Sequence, residues 1–146
     1  MFEDHPIVNQ ERQKLWSLIE RTPWLNWLLL TKRPQNVRSQ VPARWLERND
    51  SGFSLWLGTS VENQRRADER IPVLLSLPAW VRFLSCEPLL GPLDLSAYLR
   101  NGIDWAIVGG ESGNGARPMD PEWARSLRDQ CNEALVAFFL DRKSVV

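Results

Sequence analysis

Asn26-Trp27-Leu28-Leu29-Leu30-Thr31-Lys32-Arg33-Pro34 is the stretch that decides the fold. An apolar run this short, ending abruptly in a hydroxyl, two cations and a proline, reads as a strand buried on both faces that leaves the core at Lys32. The pattern recurs. Phe53-Ser54-Leu55-Trp56-Leu57 ends in Gly58-Thr59-Ser60, Trp80-Val81-Arg82-Phe83-Leu84 ends in Ser85-Cys86-Glu87-Pro88, and Asp104-Trp105-Ala106-Ile107-Val108 ends in Gly109-Gly110-Glu111-Ser112. Val136 to Leu140 reads as a fifth strand.

The intervening segments carry helical signals. Leu15, Trp16, Leu18 and Ile19 recur at helical spacing, and Thr22-Pro23 ends that helix. Pro34 and Pro42 predict a broken helix after the first strand. After the second, polar Glu62 to Arg70 followed by Ile71-Pro72-Val73-Leu74-Leu75 predicts a turn and an interrupted helix. Asp120 caps a helix with Pro121 at its first position, and Trp123, Leu127, Cys131 and Ala134 form its apolar stripe. Strand and helix alternate at the spacing of consecutive βα units, which predicts an α/β fold with a parallel sheet. The chain is expected to be one domain over residues 1–146, a partial TIM-like barrel. An open doubly wound sheet fits the periodicity equally well, and at 146 residues the chain is short for a closed eightfold barrel of about 250.

Composition narrows the function. With 18 basic and 18 acidic residues the net charge is +0, so bulk attraction to nucleic acid or an anionic membrane is not expected. No apolar run approaches the roughly 20 residues of a membrane span. Two cysteines, Cys86 and Cys131, make neither a disulfide framework nor a metal motif, and a cytoplasmic setting is expected. No metal ligand set is readable. The sequence assigns no oligomeric state. Eight tryptophans are many for this length. Trp27, Trp56, Trp80 and Trp105 fall on or just before strands, where core packing is the ordinary use and base stacking on nucleic acid the alternative.

Parallel α/β folds bind ligands at the carboxyl ends of their strands. That rule gathers Thr31, Lys32 and Arg33; Thr59, Ser60, Glu62 and Asn63; Ser85, Cys86 and Glu87; and Gly109, Gly110, Glu111 and Ser112, with Arg117 close behind. Glu62, Glu87 and Glu111 are the rim carboxylates, suited to accepting hydrogen bonds or to acid/base work, with Glu87 and Glu111 the catalytic candidates; Cys86 suits a thiolate, although His5 is the sole histidine and lies far off in sequence. Lys32, Arg33, Thr59, Ser60, Glu62, Asn63, Gly109, Gly110, Ser112 and Arg117 are candidate binders of a small molecule or nucleotide. Gly109 to Gly115 is a glycine-rich loop able to approach a phosphate, but it lacks the Walker and GxGxxG spacings.

Leu30-Thr31-Lys32-Arg33-Pro34, Trp56-Leu57-Gly58-Thr59-Ser60-Val61-Glu62-Asn63, Ser85-Cys86-Glu87-Pro88-Leu89-Leu90-Gly91-Pro92 and Val108-Gly109-Gly110-Glu111-Ser112, in this order, resemble the phage-encoded family called gene-product thirty-seven/sixty-eight. The resemblance runs from about Phe2 to Phe139, and Gly113-Asn114-Gly115-Ala116-Arg117-Pro118-Met119 continues it. It implies a domain of unknown function similar to radical S-adenosylmethionine enzymes, with a partial barrel and an amino-terminal cysteine segment for a [4Fe-4S] cluster. That segment is missing here. Cys86 and Cys131 alone do not make a cluster site, and Asp141 to Val146 leaves the family pattern. The chain therefore reads as truncated at both ends, inactive by itself and without a cofactor of its own. Gly109-Gly110-Glu111 resembles the signature that binds the methionine amino group in radical enzymes, although late in strand order. Two other functions fit the residues: a nucleotide- or phosphate-binding module built on the glycine loop, and a hydrolase or lyase with Glu87 and Glu111 as its acid/base pair.

Overall fold

The computed structural model describes residues 2–3, 5–46 and 55–141. In chain order the helices are α1 (Pro6–Arg21), α2 (Val37–Gln40), α3 (Gln64–Leu75), α4 (Ser96–Leu99) and α5 (Pro121–Ala134). The strands are β1 (Trp27–Thr31), β2 (Leu55–Ser60), β3 (Val81–Cys86), β4 (Trp105–Val108) and β5 (Ala137–Leu140). Of the predicted second strand, Phe53 and Ser54 lie outside the described residues.

All five strands are parallel and pair in the order β1-β2-β3-β4-β5. A doubly wound sheet reverses its strand order at a switch point, and this sheet does not reverse. Consecutive parallel strands joined by right-handed crossovers place their helices on one face, the arrangement found along an arc of a barrel. The register shows both faces. On one side Leu29, Leu57, Leu84, Ala106 and Val108 share a core with Trp16 and Ile19 of α1, Ile71 and Leu74 of α3, and Leu127 of α5. On the other side, successive ladder partners present Leu28, Leu30, Trp56, Phe83, Trp105, Ile107 and Phe139.

This second face is open along its edge strands, while Phe83 at its middle is only 2% exposed. Leu28, Leu30 and Phe139 are 45%, 40% and 52% exposed, so β1 is covered on one face only and the expectation of a doubly buried strand is corrected. Its middle is aromatic: Trp56 and Trp105 meet edge to face at 6.2 Å, and the Phe83 ring lies 5.8 Å from Trp105. Phe83 reaches across to β2, where its ring fills the space above Gly58; a Cβ at Gly58 would fall 2.3 Å from that ring. Trp80, expected in the core, is 75% exposed just before β3.

Local rules explain the helices. His5 caps α1 and Asp120 caps α5 by accepting from the Ile7 and Glu122 amides, with proline in the first turn of each. The Pro34 and Pro42 segments form the short turns Pro34–Asn36 and Ala43–Leu46 around α2, as the broken-helix reading expects. The interrupted helix at Pro72 is corrected, because α3 runs unbroken through it. Pro72 removes one helical donor, but Ile71 and Leu74 beside it are fully buried, and that anchoring outweighs the missing bond. Leu135 ends α5 in the left-handed region at φ 58° although it is not glycine.

Candidate functional site

The sheet ladder continues one step past its strands. The Gly109 amide donates to the Cys86 carbonyl, the Leu89 amide to the Gly109 carbonyl and the Asp141 amide to the Val108 carbonyl, at 3.2, 2.8 and 2.8 Å. Glu87, Gly109 and Asp141 thus stand abreast at the carboxyl rim. They follow residues of the helix-covered face, so strand alternation turns them to the open one.

A cleft of about 260 Å³ opens there, lined by Glu87, Pro88, Gly110, Glu111, Ser112 and Asp141. Glu87 has no hydrogen-bond or ion-pair partner among the described residues. Its half-buried carboxyl titrates above the usual range, first because burial disfavours the charge and then because Asp141 repels it. Glu111 is the reverse case. Arg117 binds both its oxygens at 2.8 Å through Nε and Nη2, and the Arg117 amide adds a third bond of 2.9 Å. Those hydrogen bonds pull the Glu111 carboxyl down to about 2. The pair fastens the glycine loop to itself, with Gly113 and Gly115 at positive φ between its ends. It also commits the loop's guanidinium, which weakens phosphate binding there, and fills both oxygens of Glu111, which weakens an acid/base pair with Glu87.

At the β1 and β2 ends, Glu62 is a structural anchor. Lys32 Nζ lies 2.7 Å from one of its oxygens and Arg70 Nη1 2.8 Å from the other, with Glu62 and Arg70 side chains 11% and 12% exposed. Burial would raise the Glu62 carboxyl, but Lys32 and Arg70 together prevail and lower it. Asn63 caps α3 through the Arg66 amide, Arg33 pairs with Glu3 at 2.9 Å, and buried Thr59 donates to the Thr31 carbonyl at 2.9 Å. Ser60 is buried on the open face beside Ser85.

Cys86 does not join the rim. It is fully buried on the helix-covered side, where burial raises its thiol far above the thiolate range; Cys131 on α5 is likewise buried and pushed up to about 11. No group of three or more His, Cys, Asp or Glu able to hold a metal occurs among the described residues. No described helix is long and apolar enough to cross a membrane. The structure thus brings Glu87, Gly109, Gly110, Glu111 and Ser112 together, with Arg117 behind them, and sets Lys32, Glu62 and Asn63 apart as supports of α3. Asp141 is the charged cleft residue that sequence reasoning missed, beside Pro88. Its position directly after the fifth apolar run was the available signal.

No curated protein and no solved structure matches this chain. A family model does, over residues 1–144: the protein of unknown function DUF5131. With nearly the whole chain matched, the protein belongs to the uncharacterised family DUF5131.

Proposed function

We propose that the chain is an arc of a parallel α/β barrel whose open-face rim, around Glu87, binds a small organic ligand through a positively charged group. The observation that carries this reading is Glu87, a half-buried carboxyl without a partner among the described residues, facing a cleft beside Asp141. A ligand cation at that place offsets both the desolvation of Glu87 and its repulsion by Asp141. The half-buried Trp56 and Trp105 lie lower on the same face, where an apolar part of a ligand would find contact.

S-adenosylmethionine carries an ammonium and a sulfonium. The four strand-end motifs that resemble phage-encoded, radical-enzyme-like proteins make it the first ligand to try. Calorimetric titration of the whole chain with S-adenosylmethionine, and with S-adenosylhomocysteine, which lacks the sulfonium charge, tests the reading. Binding of the first is expected, weakened roughly 10- to 100-fold by Glu87→Gln, the worth of one charge-assisted bond. Silence with both compounds, together with ATP binding that Arg117→Ala abolishes, would instead assign a phosphate to the glycine loop.

A further inference from the structure

Gly109 and Glu87 are neighbours on the ladder, and the space between them is arranged in an unusual way. The backbone at Gly109 is not left-handed, unlike that of Gly102, Gly113 and Gly115, so its conformation does not call for glycine. What calls for it is the neighbouring side chain. A Cβ at position 109 would fall 2.6 Å from Glu87 Oε1, 3.2 Å from Cγ and 3.3 Å from Cδ. The Glu87 side chain therefore lies across β4 in the volume that a side chain at 109 would fill.

Phe83 uses the same arrangement in the opposite direction, lying over Gly58 of β2. β3 thus spreads two long side chains over both neighbouring strands, and a glycine receives each. At the rim, this directs the Glu87 carboxylate toward Asp141 and the Gly110 to Ser112 wall instead of straight out from β3.

We infer that Gly109 is the positioning residue of the rim: its missing Cβ is the seat that lays Glu87 across β4 into the cleft, and a side chain at 109 turns Glu87 out. The effect on ligand affinity rests on the function proposed above, whereas the seat is a property of the protein without ligand. Glu87 is faced there by Asp141 from the end of β5 and by Glu111 from the loop, and Glu111 is itself paired with Arg117.

Carboxyl-carbon NMR titration of the whole chain, with the Glu87 signal identified by its loss in Glu87→Gln, reads the seat directly. In the unaltered protein Glu87 is expected to titrate above the ordinary glutamate range. In Gly109→Ala it moves down into that range, and in Gly91→Ala, where a Cβ meets nothing within 4 Å, it does not move. Thermal melts supply a second reading: the change in melting temperature caused by Gly109→Ala differs between the natural background and Glu87→Ala, which removes all three contacting atoms. An unchanged Glu87 titration in Gly109→Ala, or an equal change of stability in both backgrounds, would overturn the inference. If Glu87 responds as expected while S-adenosylmethionine does not bind, the seat stands and the proposed ligand falls.

Discussion

Removing the Glu62 carboxylate tests the rim's strongest electrostatic claim. Breaking a buried ion pair by deleting one partner costs about 3–5 kcal/mol, because the survivor is left buried and charged. Arg70, 12% exposed, is that survivor, but it also donates to the Ser60 carbonyl at 2.7 Å and so keeps one partner. The Lys32 contact adds little, since Lys32 is 59% exposed and such pairs contribute about 0.2–1 kcal/mol. Glu62→Gln should therefore cost about 2–3 kcal/mol, or roughly 4–12 °C in melting temperature for a domain near this size. Urea unfolding of Glu62→Gln, Arg70→Met and the double variant isolates the pair, with an expected coupling of about 1.5–3 kcal/mol. The pH dependence follows from the lowered carboxyl. Its contribution is present above the unfolded value near 4.5 and is lost as the pH falls through the lower folded value, so the natural protein and Glu62→Gln converge in acid. A coupling below about 0.5 kcal/mol, or a deficit of equal size at neutral and acid pH, would refute the reasoning.

Glu87 should behave in the opposite sense. Its carboxyl is raised in the fold, so its charged form destabilises; Glu87→Gln should raise the melting temperature near neutral pH, and the gain should vanish below the unfolded carboxyl value. A constant difference across pH would count against its burial. Leu135→Gly should stabilise by about 0.5–1 kcal/mol, since a 94% exposed leucine at φ 58° makes few contacts that glycine would lose, and urea midpoints measure the gain. Cys86 and Cys131 should resist iodoacetamide in the folded protein and react after unfolding; rapid alkylation of either thiol in native buffer would disprove their burial.

Strand positions were legible because each apolar run stops at an abrupt polar boundary, a signal local to the chain. Which face each strand turns to the helices was not. Leu28 and Leu30 belong to an apolar run of the kind that a doubly covered strand uses, and only the unreversed strand order shows that one of its faces lacks helices. Parity also decided Cys86 and Glu87. Both sit at the end of β3, and one residue separates a thiol sealed in the core from a carboxyl in the cleft. Pro72 suggested a break because proline's local cost is visible in sequence, whereas the burial of Ile71 and Leu74 that overrides it is a tertiary fact. The role of Gly109 was invisible for a related reason: the atoms that fill its side-chain space come from another strand.

Because each strand hydrogen-bonds only to the strands immediately before and after it in the chain, the sheet is a linear array of nearest-neighbour ladders. Adding or removing a terminal unit changes one ladder and leaves the others with all their partners, as in a stacked repeat protein. An array of this kind can gain or shed whole βα units at its ends while the rim between β3 and β4 keeps its register.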